Sequence, residues 1–509
     1  MAIVTRVDTP AGARRRLQLA SPVTLEPIGE IEVQTAKDVR AAVETARKAQ
    51  PKWAALSFKE RAQYLKRALK TLHERQDEFI DVIESETGKA RSDTIMVEIF
   101  AASDALHYYA KNTAKLLRPQ NKRLHGLLET TNKLRIEYQP LGVVGIITPW
   151  NGPLILSISP TLQALMAGNA VLLKPSSVTP RSGQIVGELF EAAGLPKGVL
   201  TVLIGDAETG NALIEAGVDK ISFTGSVKVG REVAVKCAER LIPCTLELGG
   251  KDPMIICADA DLDISAAGAV FGAFVNTGLY CSSTERVYVV EAVADEFIQK
   301  VVDRVSQLRQ GTNGDFDIGA ITWPAQIEVL EKHVADAISK GAKVLVGGRR
   351  NPDLKGLYFE PTVITDVTHD MLVMTEETMG PILPIMRVRD EAEAIMIAND
   401  TEYGLGASVW TQDERKGFKI AKRLNSGSVC INEIAVTYGI PEAPFGGQKN
   451  SGIGRVNGET GLKSYCNIKP IIVNRFGGAE IATRHPYSAQ KDADIKMVIR
   501  ASFSPDDIP

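Results

Sequence analysis

The chain has 509 residues, too many for one ordinary core, so two or three domains are expected. Hydrophobic residues make up 44% and charged residues 24%, an ordinary globular balance, and the net charge of −3 gives neither nucleic acid nor an anionic membrane a general footprint. The six cysteines, Cys237, Cys244, Cys257, Cys281, Cys430 and Cys466, show no CxxC spacing, which disfavours zinc ribbons and redox pairs and suits a reducing compartment.

The N-terminus carries Arg6 and Asp8 without an apolar core, so no signal peptide is expected and the cytoplasm is the expected location. The triplet Arg14-Arg15-Arg16 reads as solvated tail. Next, Thr35-Ala36-Lys37-Asp38 has capping-box form and leads into an apolar stripe of Val39, Ala42, Val43 and Ala46. Ser57-Phe58-Lys59-Glu60 repeats the cap ahead of Ala62, Leu65, Leu69 and Leu72. The N-terminal portion therefore reads as helices. Leu127 to Tyr138 alternates and mixes charge with β-formers, the pattern of an exposed hairpin.

Tyr138 through Leu173 contains no charged residue and is long enough on paper to cross a bilayer. Pro140, Pro149, Pro153 and Pro160 cut it apart, so it reads as a buried strand, loop and helix. Short apolar runs follow at Val143–Thr148, Ala170–Leu173, Leu200–Leu203, Lys220–Phe223 and Thr245–Leu248, with helical patterns between them. That alternation is the signature of a parallel doubly wound sheet. A second α/β region runs from near Gly250 to about Val429, with a helix around Val293–Leu308. Strand character returns at Ile471–Val473, and the tail beyond Phe476 is polar with few apolar anchors.

A doubly wound sheet binds ligands at the carboxyl ends of its strands. Three segments end strands here: Thr148-Pro149-Trp150-Asn151, Lys174-Pro175-Ser176-Ser177 and Phe223-Thr224-Gly225-Ser226. The last opens a helix, whose N-terminus suits a pyrophosphate, although no GxGxxG fingerprint occurs. Just downstream lie Glu247, in Leu246-Glu247-Leu248-Gly249-Gly250-Lys251, and Cys281, in Asn276-Thr277-Gly278-Leu279-Tyr280-Cys281. A thiolate attacks carbonyls well, and the thioester that results needs a base to bring in water. Each feature alone has a plain structural reading: a turn, a strand exit, a small buried hydrophobe or a surface glutamate. Their order, all at strand ends, is what carries weight.

The set Pro149-Trp150-Asn151, Lys174-Pro175, Phe223-Thr224-Gly225-Ser226, Glu247-Leu248-Gly249-Gly250-Lys251, Asn276-x-Gly278-x-x-Cys281, Glu376-Glu377-x-x-Gly380-Pro381 and Pro444-Phe445-Gly446-Gly447-x-Lys449-x-Ser451-Gly452 is similar to that of the aldehyde dehydrogenase superfamily, from about Gly29 to about Lys469. The resemblance implies an α/β fold of two doubly wound Rossmann-like domains plus a small β oligomerisation element. Residues 1–120 would be the helical N-terminal part of the cofactor-binding domain, 121–140 an oligomerisation hairpin and 141–249 the NAD(P)-binding core. Residues 250–430 would form the catalytic domain, 431–466 a return to the cofactor-binding domain along the substrate tunnel, and 467–509 an oligomerisation strand and C-terminal extension.

By the same resemblance, Cys281 is the nucleophile, Asn151 the oxyanion donor and Glu247 the base that activates water. A thiol pKa lowered by local amides or by the nicotinamide charge is implied. The carboxylate at 247 favours hydrolysis to a free acid over transfer to coenzyme A. Cofactor contacts would be Ile147, Thr148, Pro149, Trp150, Lys174, Ser176, Ser177, Phe223, Thr224, Gly225, Ser226, Val229, Leu248, Gly249, Glu377 and Met379. Ser177 departs from the glutamate that NAD-preferring relatives often carry, which makes NADP acceptable beside NAD. Leu279 stands where a glutamine is usual, and Met379 where a phenylalanine often packs. Gly152 and Ser159 are small where bulk is common, which suggests a wide tunnel with Leu156, Tyr280, Ser282, Phe445 and Tyr438. No lysine or arginine in these segments could hold a substrate carboxylate, so a bulky apolar or aromatic aldehyde is expected rather than a succinate-type semialdehyde.

A homodimer or homotetramer is expected, with no nucleic-acid or membrane partner and no metal. The tail past Phe476 reads either as a disordered terminus or as an arm over a neighbouring subunit. A cofactor-independent cysteine esterase is a competing class, but none of the six histidines flanks Cys281. A catalytically silent member would not need Cys281, Glu247 and Asn151 together.

Overall fold

Both capping boxes open helices, Ala36–Ala54 and Phe58–Glu74. In the first, the Thr35 hydroxyl accepts from the Asp38 N–H (3.3 Å) while the Asp38 carboxylate accepts from the Thr35 N–H (2.9 Å). The stripes they launch bury Val39, Val43 and Ala46 in one helix and Leu65 and Leu72 in the other. The structure, a computed structural model, describes residues 4–7, 14–126, 128–311, 314–476 and 485–503.

The N-terminal portion is not helical throughout. Val4–Val7, Arg16–Ala20 and Pro27–Glu32 form a three-stranded antiparallel sheet. The basic triplet is not a solvated tail either. Arg16 pairs with Glu30 and Glu32 across this sheet, and Arg15 pairs with Asp206 and Glu208.

The six-stranded sheet runs in the order Gly452–Ile453, Cys244–Glu247, Lys220–Thr224, Val143–Ile147, Ala170–Lys174 and Leu200–Val202. Every pairing is parallel except at the Gly452–Ile453 edge. The chain steps outward from Val143–Ile147 to Leu200–Val202, then returns to lay Lys220–Thr224 on the other side. The order therefore reverses beside Val143–Ile147, the place where such sheets open a crevice at their carboxyl ends. Thr148–Asn151, Thr224–Ser226 and Glu247–Gly249 leave their strands at that end.

A seven-stranded sheet, from Lys343–Val346 through Thr362–Thr365, Ile382–Val388, Thr284–Val290, Asp252–Ile256 and Ser408–Trp410 to Cys430–Ile431, is parallel but for its first pair. The uncharged stretch before Leu173 divides into strand, loop, helix Ile155–Met166 and strand. Among the described residues no helix is long and apolar enough to cross a membrane.

The expected hairpin over 127–138 is a different structure. Leu128–Thr131 forms one helical turn, and Asn132–Pro140 is a strand whose long partner is Cys466–Asn474, with the short Gln120–Lys122 on its other edge. Leu127 lies outside the described residues. That main partner is supplied from the far end of the chain, which no local turn pattern reveals. The tail is not wholly irregular either: Ala489–Ser502 is a helix with no buried residue. Residues 477–484 and 504–509 lie outside the described part.

Helix Pro180–Ala192 crosses the exit of strand Ala170–Lys174 closely. A Cβ at Gly183 would lie 2.2 Å from Pro175 Cβ. Gly183→Val is expected to destabilise the protein by about 1–3 kcal/mol through overpacking. Urea unfolding checks this, and an unchanged midpoint would contradict the close packing.

Candidate active site

Helix Leu262–Phe274 ends at an unusual turn. Asn276 (φ 53°), Thr277 (φ 58°) and Gly278 (φ 69°) lie consecutively in the left-handed region. That conformation is open to glycine, tolerable for asparagine and costs about 1–2 kcal/mol for an ordinary residue. A β-branched threonine there is a marked outlier. The surroundings hold it. Asn276 N–H donates to Asp93 (2.9 Å), its Nδ2 to the carbonyls of Asn151 (2.9 Å) and Leu279 (2.8 Å), and Thr277 Oγ1 accepts from Gly319 N–H (3.0 Å). A Cβ at Gly278 would lie 2.3 Å from Gly380 O, so glycine is required there on two counts. The turn buries Leu279 in the core and brings Tyr280 and Cys281 to a cavity wall.

Asn151 faces this loop from the end of strand Val143–Ile147, its Nδ2 donating to Leu279 O at 3.2 Å. Its own carbonyl accepts from Asn276 and from Lys89 Nζ (3.1 Å). Lys89 also pairs with Glu98 (2.6 Å), whose second oxygen accepts from the N–H groups of Leu154 and Ile155. The pair is buried, 4% and 0% exposed, so loss of either partner would strand the other. Glu98 lies on a π-helical turn, Thr94–Phe100, that also lends side chains to the cavity.

Two cavities share Asn151, Leu156 and Cys281. The first, of about 280 Å³, includes Gly152, Leu156, Tyr280 and Tyr438, as expected, and among the described residues no lysine, arginine, histidine or acid lines it. Three expected substrate residues lie elsewhere. Ser159 donates to Asn457 Oδ1 (2.8 Å), Ser282 faces a small pocket beside Asp252, and Phe445 stands behind Tyr438 with rings 5.0 Å apart. In their place the wall is built by Met96, Val97, Phe100 and Ala101 and by the segment around Ala435–Ile440, which no spacing rule singled out.

The second cavity, about 150 Å³, lies over the strand ends. Pro149, Trp150, Thr224, Gly225, Ser226, Leu248, Gly249, Glu377 and Met379 line it together with Glu247. Trp323 and Gln326 join them unforeseen, the Trp150 and Trp323 rings lying 6.2 Å apart. Ser226 is the N-cap of helix Val227–Glu239, accepting from Val229 N–H, so the positive helix end faces the cavity. Of the other expected contacts, Phe223 lies under Gly225, where a Cβ would come within 2.6 Å of its ring. Thr148 is buried against Ser157 (2.8 Å), and Ile147 is buried in its strand. Lys174 is buried, which holds its ammonium down at about 8 despite Asp206. Half-buried Ser176 and Ser177 and exposed Val229 lie outside the cavity.

The acids are held in different ways. Glu377 accepts from Gly250 N–H (3.0 Å) across Gly249, where a Cβ would strike its Oε2 at 2.3 Å, and burial pushes its carboxyl up to about 8. Its segment is clamped by Glu285, which accepts from Thr378 N–H (3.1 Å) and Met379 N–H (3.0 Å) and pairs with buried Lys251 (2.6 Å). Glu247 is 3% exposed, and among the described residues neither of its oxygens has a hydrogen-bond partner. Burial raises its carboxyl well above the usual range, with Arg455 opposing. The Cys281 thiol is raised too, by burial first and then by Asp252, Glu377 and Glu247. Local amides alone therefore do not bring the thiol below its ordinary value in the ligand-free protein. Its own amide pulls downward, but burial and three acids outweigh it.

The aldehyde dehydrogenase family profile matches residues 9–471. A Mycobacterium ulcerans protein, provisionally named an NADP-dependent succinate-semialdehyde dehydrogenase, is 42% identical over 89% of this chain and 87% of its own. A 4,4'-diapolycopene aldehyde oxidase from a Methylomonas species is 39% identical over 92% of this chain and 88% of its own. The solved Mycobacterium tuberculosis aldehyde dehydrogenase complexed with NAD+ superposes with a TM-score of 0.86 at 36% identity, over 91% of this chain and 95% of the other.

Because the raised pKa keeps the thiol protonated at neutral pH, iodoacetamide labelling of Cys281 in the ligand-free protein is expected to rise roughly tenfold per pH unit from about pH 6 to 9. Peptide mass spectrometry checks this. A plateau near neutrality would mean that the thiolate is already formed.

Proposed function

Because the chain belongs to the aldehyde dehydrogenase family, and is an NAD(P)-dependent oxidoreductase on that footing, we propose that it oxidises bulky apolar or aromatic aldehydes to the free acid. The observation that carries the substrate reading is the cavity beside Cys281, lined without a charged side chain. The Methylomonas relative's name points the same way. The M. ulcerans relative's name favours a short semialdehyde instead, but the lining offers no lysine or arginine for a second carboxylate. Among the described residues no histidine lines either cavity, which leaves a cofactor-independent cysteine esterase without its usual base.

The second cavity fits a nicotinamide dinucleotide. The capped helix end at Ser226 suits the pyrophosphate, Trp150 and Trp323 supply flat walls, and Glu377 suits ribose hydroxyls. When bound, NAD or NADP supplies a hydride acceptor and a positive charge that offsets the acids around Cys281. Ser177 carries no charge against a 2′-phosphate, so both cofactors are accepted.

In this mechanism Cys281 Sγ bonds to the aldehyde carbon, the carbonyl π pair moves onto oxygen, and the thiol proton passes to water. Asn151 Nδ2 exchanges its bond to Leu279 O for the carbonyl oxygen, beside the Cys281 N–H. One such donor is worth about 3–4 kcal/mol in the transition state. Once the carbon is at the thioester level, Glu247 takes a proton from water, which attacks as the sulfur leaves. Among the described residues nothing hydrogen-bonds the Glu247 carboxyl, which leaves it free to hold that water; its raised pKa means that it acts as base only in its ionised fraction, each such carboxylate being correspondingly more basic. We assign assembly as a homodimer or homotetramer to strand Cys466–Asn474, which exposes Ile468, Ile472 and Val473.

Initial-rate assays with either cofactor are expected to give kcat/KM at least tenfold higher for hexanal or benzaldehyde than for succinate semialdehyde, since each buried methylene is worth about fourfold. The reverse order would overturn the substrate reading. Glu247→Gln is expected to lower steady-state kcat by about 10²–10⁴ with cofactor affinity retained.

A further inference from the structure

One buried ion pair ties together three segments that meet at the site. Lys251 ends the loop that follows Glu247, Glu285 lies four positions after Cys281, and Glu377 and Met379 line the cavity over the strand ends. Lys251 and Glu285 are both buried and lie 2.6 Å apart. Between them Thr378 is held at each polar group. Its N–H donates to Glu285 (3.1 Å), its carbonyl accepts from Gln326 Nε2 (2.5 Å), and its hydroxyl accepts from Lys251 Nζ (2.9 Å). The Met379 N–H donates to the same Glu285 carboxylate at 3.0 Å.

The residue held in this way is strained. Met379 has φ 47°, in the left-handed region, which an ordinary residue left to itself occupies about a tenth of the time or less. Its conformation matters to whatever binds beside Glu377, because both residues face the same cavity. Burial works against the charge on Glu285, but Lys251 and the Met379 N–H outweigh it and hold the carboxyl below its ordinary range. A buried ion pair alone says little about function. What sets this one apart is its second set of partners: two consecutive amides, one of them on a strained residue of the cavity wall.

We propose that Glu285 is a positioning residue for the nicotinamide cofactor: by accepting from Thr378 and Met379 it keeps the Glu377–Met379 segment in its binding shape before the cofactor arrives. The inference rests on the dinucleotide reading of that cavity. Without the acceptor Met379 relaxes toward ordinary backbone angles and the binding-competent fraction of the protein falls. Apparent cofactor affinity then falls by the same factor.

The test compares two double variants, each of which removes the ion pair. Lys251→Met/Glu285→Gln keeps a side-chain oxygen that accepts from the two amides, whereas Lys251→Met/Glu285→Leu offers none. Titration calorimetry with NAD and with NADP gives Kd, and unfolding midpoints are recorded without cofactor. The Gln variant is expected to bind within about threefold of wild type, and the Leu variant about tenfold or more weakly. Equal affinity in the two variants, whether near wild type or equally weakened, overturns the inference, since the pair would then act through packing or charge. A second measurement needs no variant and decides alone if the Leu protein does not fold. In the cofactor-free wild type the Thr378 and Met379 amides are expected to exchange hydrogen slowly, and exchange at the rate of an exposed loop overturns the inference. Wild-type protein that binds neither NAD nor NADP would remove the dinucleotide reading itself, and the inference with it.

Discussion

Three consecutive left-handed residues before Cys281 are the constraint on which the site depends. Asn276 and Thr277 hold a conformation that an isolated chain avoids, and they hold it because remote segments tie them down. Asp93 accepts a hydrogen bond from the Asn276 N–H, the Asn151 carbonyl accepts one from the Asn276 side chain, and the Gly319 N–H donates to Thr277. Gly278 then passes so near Gly380 that no side chain fits. Strain of this kind persists only where the surroundings over-determine it, and here they also fix the position of a thiol. Cys281 thereby stands on the wall shared by both cavities, one over the ends of a doubly wound sheet and one apolar.

The same ties link the two sides of the site. Asn151, the proposed oxyanion donor, is held through its carbonyl by Asn276 on one side and by Lys89 on the other. Lys89 is neutralised by Glu98, which in turn satisfies the first amides of helix Ile155–Met166. Because Glu98 sits within the π-helical turn that supplies Met96 and Phe100, the apolar wall and the polar end of the site are one continuous structure. Burial first, and then the charges of Asp252, Glu377 and Glu247, run against ionisation of the sulfur.

What depends on near neighbours was legible in the sequence. The capping boxes at Thr35 and Ser57 open helices as read, and the five apolar runs between Val143 and Leu248 are strands of one sheet. The carboxyl-end residues of three of them, Pro149–Asn151, Thr224–Ser226 and Glu247–Gly249, gather in one cavity because a parallel sheet places such ends on the same side, while Ser176 and Ser177 stay outside it. What depends on distant contacts was not legible. Strand Asn132–Pro140 looked like half of a local hairpin because its true partner, Cys466–Asn474, lies at the other end of the chain. Ser159 was expected at the cavity, but a hydrogen bond to Asn457, nearly three hundred positions away, turns it inward. The π-helical turn shifts its hydrogen bonds to i→i+5, so Met96 and Phe100 escape a pattern search tuned to 3.6 residues. Trp323 reaches the cavity over the strand ends only through tertiary packing.

The central claim is that Cys281 carries the substrate carbon while Glu247 waits to bring in water. It is tested most directly by mixing the Glu247→Gln protein with NAD or NADP and an apolar aldehyde, quenching in acid and mapping the peptides by mass. The account predicts one adduct, on the Cys281 peptide, heavier by the aldehyde less two hydrogens, as a thioester requires. Reduced cofactor accumulating while Cys281 stays unmodified, or an adduct on another cysteine such as Cys430, would contradict it.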